Sequence, residues 1–178
     1  MKMLRMLVVG LLALLAFHLL PLEYLPSAPQ NELVSQTEDY GSLYNVVRVV
    51  DGDTIVADVE GKEIKVRLIG VNTPESVHED ETKNVPEGKD ASAYMNTLLK
   101  GRKIYLVYDE DREDDYGRTL AYVFTEEFEF VNLLLVEEGL AECMKIEPNT
   151  KYADVFEGAE KTAKAENKGF WGLNGFPN

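Results

Sequence analysis

The chain has 178 residues, 45% of them hydrophobic, which suffices for one domain with a real core and a tail. Against 18 basic residues stand 32 acidic ones, a net charge of −14, so the chain lacks the overall basic balance with which nucleic-acid binders displace counterions from phosphates. This weighs against tight non-specific binding of polyanions but not against turnover, and the single cysteine, Cys143, excludes an internal disulfide and a cysteine-based metal site.

Lys2 and Arg5 precede an apolar run from Met6 to Leu20 broken only by Gly10 and His18. Basic flank and apolar stretch together read as an N-terminal signal peptide or membrane anchor over residues 1–25, with a possible membrane tether through residues 4–22. Ser27-Ala28 is the nearest small-residue cleavage site, but Pro29 follows directly, so release and tethering both stay open. The expected location is extracytoplasmic, secreted or anchored. Residues 26–43 are polar, carry Pro26 and Pro29 and show no period, and read as a flexible linker.

A domain over residues 44–174 follows. Tyr44–Val50 and Thr54–Val59 are rich in β-branched residues, and Lys62–Ile69 alternates Ile64, Val66 and Leu68 against Lys65 and Arg67. Glu60-Gly61 between the last two reads as a hairpin turn. Ser76–Lys89 reads as an acidic loop, and Asp90 as the cap of a helix to Leu99, with Ala91, Tyr94, Met95 and Leu98 on one face and Gly101 as its stop. Ile104–Tyr108 and Thr119–Thr125 are further strands, separated by the acidic loop Asp109–Asp115. Phe130–Glu138 and Tyr152–Asn167 are helices, the last followed by Phe170 and Trp171. The pattern predicts a β-rich α+β fold, an OB-type five-stranded barrel with about three helices.

Three short segments carry the chemistry. In Asp51-Gly52-Asp53-Thr54, Gly52 permits a turn and Asp53 offers a hard oxygen to Ca²⁺ or Mg²⁺, although an ordinary Asp-Gly turn reads the same way. In Arg67 to Glu75, Pro74 holds Thr73 extended, which aims the Asn72 side chain and the Thr73 carbonyl toward Asp53 and leaves Glu75 to orient or deprotonate a water. The plain alternative is an Arg–Glu surface pair. In Asp114-Asp115-Tyr116-Gly117-Arg118, the arginine suits a bidentate grip on a phosphate. His78 reads as a solvated loop residue, the acidic run from Asp109 to Asp115 as a solvated loop, and Cys143 as a small core residue.

These segments, taken in order, resemble the staphylococcal nuclease (thermonuclease) family: Asp-Gly-Asp-Thr, Arg-Leu-x-x-Val-x-Thr-Pro-Glu, Asp-x-Tyr-Gly-Arg-x-Leu-Ala-Tyr, then Gly139-Leu-Ala and Gly169-Phe-Trp171. The resemblance covers about Val46 to Trp171. It implies a Ca²⁺-dependent endonuclease on an OB-type barrel that cuts DNA and RNA to leave 3′-phosphates, with no obligate protein partner inferred. By the same resemblance Asp53 and Thr73 are metal ligands, Glu75 activates water, and Arg67 and Arg118 hold the phosphate, with Tyr116 a candidate for phosphate contact. Where the family's reference member has a second metal aspartate, this chain has Asn72, a neutral donor that weakens the site. Cys143-Met144-Lys145-Ile146-Glu147 replaces the tyrosines that hold the nucleotide there, and Asp115 replaces a lysine. The rival expectation is a catalytically weak or inactive nucleic-acid-binding module.

Overall fold

The structure is a computed structural model and describes residues 40–75, 86–173 and 176. The apolar leader, most of the linker and His78 lie outside the described residues. β-Branched residues build the first half of the barrel, in β1 (Leu43–Val49), β2 (Thr54–Val59) and β3 (Lys62–Leu68). β2 and β3 pair antiparallel from Thr54↔Arg67 to Val59↔Lys62. Glu60 and Gly61 between them both take positive φ, 54° and 84°, the geometry of a tight primed turn, and the Asp58 carboxylate accepts from the Gly61 N–H at 2.8 Å. The second half is β5 (Lys103–Val107) antiparallel to β6 (Thr119–Thr125). β1 closes on β5, and β3 runs parallel to β6, so the order β1-β2-β3-β6-β5 is a closed five-stranded barrel. The expected barrel is observed.

Alternate residues of these strands fill the interior: Ile55 and Ala57, Val66 and Leu68, Ile104 and Leu106, Ala121 and Val123, all nearly or wholly inaccessible to solvent. Three α-helices cover the barrel among the described residues: α1 (Pro86–Leu99), α2 (Val131–Glu137) and α3 (Ala153–Ala165). Phe124 stacks on Phe130 with ring centroids 4.4 Å apart, and Tyr152 packs edge-on to Tyr122 at 4.6 Å, joining the barrel wall to the helices. Asn132 makes the polar tie. Buried completely in α2, it accepts from the Val123 N–H at 2.9 Å and donates to the Ile69 carbonyl at 2.8 Å.

Three features differ from the expectation. α1 starts at Pro86, four residues before Asp90 and inside the stretch read as loop. Proline suits a first helical turn, where its missing N–H has no partner to lose. The Pro74 and Glu75 carbonyls occupy the space where a Cβ at Gly88 would sit, so this first turn packs directly on the segment that carries Glu75. Second, two-residue strands β4 (Val71–Asn72) and β7 (Glu142–Cys143) pair antiparallel, too short for any periodicity to announce them. Third, the barrel uses residues of the expected linker: Leu43 opens β1, and the Tyr40 ring lies 5.0 Å from those of Tyr105 and Phe124. Among the described residues no helix is long and apolar enough to cross a membrane.

Candidate active site

The turn from β1 to β2 is tight because Val50 N–H and Asp51 N–H both donate to the Thr54 carbonyl, at 2.9 and 3.2 Å. Within it, Asp51 Oδ1 accepts from the Asp53 N–H at 3.0 Å. Gly52 is required there: a Cβ would come within 2.5 Å of Thr73 Oγ1 and 2.7 Å of Ala91 Cβ. The bare backbone thus lets both the Thr73 segment and α1 close on the turn.

Asp53, only 7% exposed, is the hub. Its Oδ2 accepts from the Thr73 N–H at 3.0 Å and lies 3.1 Å from Arg67 Nη2, and its Oδ1 accepts from the Thr54 hydroxyl at 3.2 Å. Burial, and next the charge of Asp53, push the Asp51 carboxyl up to about 6.

Arg67 lies on the strand face opposite the buried Val66 and Leu68, as the alternation predicts, but its guanidinium does not extend into solvent. The guanidinium folds back into the corner, where Nη1 donates to the Leu68 carbonyl and, at 2.7 Å, to the Val71 carbonyl, while Nη2 meets Asp53 and lies 3.8 Å from the Met144 sulfur. Its side chain is 12% exposed. Asn72 comes next to this corner, but its amide Nδ2 donates to Glu142 Oε1 at 3.2 Å, and it is the N–H of Thr73 that meets Asp53. Glu75 is exposed two residues beyond Thr73. Arg67 and Arg118 pair with Asp53 and Asp114 rather than with Glu75.

Arg118 is held by its own loop. Asp114 Oδ1 accepts from the backbone N–H of Tyr116 (3.0 Å) and of Arg118 (2.9 Å), and Oδ2 accepts from Arg118 Nε at 2.7 Å. Gly117 supplies the positive φ, 73°, that this turn needs. Burial pushes the Asp114 carboxyl up, but these hydrogen bonds and the Arg118 charge outweigh it and hold the group below its ordinary value. The guanidinium carbon of Arg118 lies 5.5 Å from the centre of the Tyr116 ring, which is 85% exposed.

An open groove of about 440 Å³ brings Arg67 and Arg118 into one lining. Tyr116, Met144 and Ile146 give it apolar surface, and Asp111, Glu113, Asp115 and Glu147 give it an acidic margin. Among the described residues no three His, Cys, Asp or Glu side chains converge as an all-side-chain cage would require. The oxygen-bearing residues that the corner offers are the buried Asp53 carboxylate and the adjoining Asn72-Thr73 segment, whose Thr73 N–H meets Asp53; hard oxygens of this kind suit Ca²⁺ or Mg²⁺ and not a soft transition metal. The thiol of Cys143, pushed up to about 12 by burial and then by Glu160, has no part in such chemistry.

The family described as "Staphylococcal nuclease homologue" matches residues 65–172. The chain belongs to the staphylococcal nuclease family. It is 44% identical over 128 residues to a thermonuclease of Staphylococcus hyicus, covering 72% of this chain and 75% of that protein. A thermonuclease of Staphylococcus intermedius is 43% identical over 137 residues, 77% of this chain and 80% of the relative. Endonuclease YncB of Bacillus subtilis is 38% identical over 152 residues, 84% of this chain and 67% of the relative. As a staphylococcal nuclease homologue the chain is a nuclease, a hydrolase acting on phosphodiester bonds. The matched span takes in Arg67, Asn72, Thr73, Glu75 and Arg118 but begins beyond Asp53.

Two neighbours of the site escaped the sequence reading. Asp114, two residues before Tyr116 in the same motif, is the partner of Arg118, and the Asp-x-Tyr-Gly-Arg spacing carries the signal of an Asx-type turn. Glu142, partner of Asn72, had no local signal at all, since 70 residues separate the two.

Proposed function

We propose that this homologue is a divalent-cation-dependent endonuclease, with Ca²⁺ the favoured ion and Mg²⁺ the alternative, acting on DNA or RNA to leave 3′-phosphates. The observation that carries the reading is the pairing of two guanidinium groups in one groove, each pre-oriented by its own aspartate. A phosphodiester in that groove meets two guanidinium charges, Arg118 with its Nη groups beyond the Nε that Asp114 holds and Arg67 from within the corner, and they stabilise the charge that gathers on phosphorus oxygens at the transition state. Glu75, exposed beside the corner, accepts the proton of the attacking water. Asp53, the Asn72 amide oxygen and the Thr73 carbonyl would hold the cation, which when bound supplies Lewis-acid polarisation of the phosphoryl oxygen. Tyr116 lies against the substrate. The basic flank and apolar run at the N-terminus support an extracytoplasmic enzyme, released or tethered.

The test incubates the full chain with single-stranded DNA in Ca²⁺, in Mg²⁺ and in chelator, beside Glu75→Gln. Cleavage is expected only with metal, and the variant is expected to lose on the order of 100-fold in rate while staying folded. DNA left intact under every ion by a folded protein would replace the enzyme with a binding module.

A further inference from the structure

Asn72 and Glu142 face each other across the ladder of β4 and β7. The backbone fixes both. Cys143 N–H donates to Glu160 Oε1 at 3.0 Å and Met144 N–H to the Gly70 carbonyl at 3.0 Å, which pins the chain immediately after Glu142. Asn72 Nδ2 then donates to Glu142 Oε1 at 3.2 Å. A side-chain amide has a donor end and an acceptor end, and only one orientation works here. Turned over, the amide would set its oxygen against a carboxylate, two acceptors with no proton between them. The contact with Glu142 therefore leaves Oδ1 as the end free to face elsewhere. The next residue, Thr73, donates its N–H to Asp53 at 3.0 Å, so that amide belongs to the corner around the buried carboxylate.

We infer that Glu142 is a positioning residue of the cation site, which fixes the Asn72 amide so that Oδ1 is presented as an oxygen ligand. The inference rests on the metal-dependent reading above. A carboxylate at position 72 would need no such partner, because its two oxygens are equivalent. It would also stand directly across the ladder from the Glu142 carboxylate, an unfavourable like-charge pair. Asparagine at 72 and glutamate at 142 thus form a matched pair. The neutral amide removes the repulsion, and the glutamate removes the ambiguity that the amide introduces. An outer partner that orients a ligand commonly governs affinity as strongly as this, about 10-fold or more when removed.

The experiment titrates Ca²⁺ calorimetrically into the full chain without nucleic acid, with thermal unfolding in chelator alongside. Glu142→Ala is expected to weaken Ca²⁺ binding about 10-fold. Glu142→Gln, whose carbonyl accepts the same hydrogen bond, is expected to lose clearly less. With Asn72→Asp already in place, Glu142→Ala is expected to cost no affinity, since there is no amide left to orient. An equal loss with and without Asn72→Asp, or lower stability in chelator with unchanged affinity, would overturn the inference and leave Glu142 a structural residue. Failure of the unsubstituted chain to bind Ca²⁺ would overturn the metal reading itself. Should Glu142→Ala not fold, Glu142→Val, which suits a strand and removes the acceptor, is measured with and without Asn72→Asp and decides by the same comparison.

Discussion

The two arginines of the groove are held by the same chemistry in opposite ways. Arg67 is clamped by the tertiary fold: Asp53 comes from the β1–β2 turn, the Val71 carbonyl from β4 and the Met144 sulfur from beyond β7. Arg118 is clamped by its own loop, through an aspartate four residues away. Side-chain exposure follows the same division, 12% for Arg67 and 32% for Arg118. A buried pair cannot lose one member without stranding the other, whereas a half-buried local pair within one loop separates at less cost to the fold. The difference teaches that one guanidinium is part of the structure as well as of the site, and the other of the site alone.

Removing Arg67 is the largest expected break. Arg67→Ala leaves the Asp53 carboxylate buried without its cation and two carbonyls without a donor, at a cost of about 3 kcal/mol in stability. The rate loss is expected to be on the order of 100-fold or more. Urea unfolding in chelator, read beside single-turnover cleavage, checks both numbers. Wild-type stability in this variant would remove the structural half of the contrast.

Arg118→Ala is expected to lose a similar factor in rate, on the order of 100-fold, while stability changes by less than about 1 kcal/mol. Arg118→Lys sharpens the point. An ammonium cannot reproduce the planar fork, so it is expected to restore stability but not rate. Recovery of full turnover with lysine would mean that charge alone matters at this position.

A smaller effect is expected from Asp114, read through pH. Its carboxyl is held below the ordinary value of 3.8, so its contribution to stability is present above pH 3.8 and is lost as pH falls through the depressed value. Asp114→Asn should lower thermal stability somewhat near neutrality, where that contribution is present, and flatten its loss in the acid range, so that the two curves converge at low pH. An acid limb identical to that of the unsubstituted chain would show that the loop is not held by this carboxylate.

Much of this arrangement was legible from one end of the chain to the other. The alternation in Lys62–Ile69 placed β3, the Glu60-Gly61 pair placed its turn, and the spacing of Gly-Asp-Thr, Thr-Pro-Glu and Tyr-Gly-Arg placed Asp53, Thr73, Glu75 and Arg118 at element ends. These signals are local, because strand period, turn conformation and loop capping are decided within a few residues. The staphylococcal nuclease resemblance drew on the same short runs. It gave the residues their roles without saying which of them touch.

What the tertiary structure alone decided is where those side chains point. Arg67 alternates with Val66 and Leu68 and so falls on the polar face of β3, but only the fold shows that β4 turns back beside it and supplies a carbonyl to its guanidinium. β4 and β7 exist only as partners of each other, and the pairing of Asn72 with Glu142 depends on a chain reversal across 70 residues. A two-residue strand has no period to read, and a hydrogen bond between distant side chains leaves no trace in either neighbourhood. Sequence determined the barrel and the candidate site residues because each is written in local pattern. Their orientation was left to the closing of the fold, where burial forces every charge and amide to find a partner.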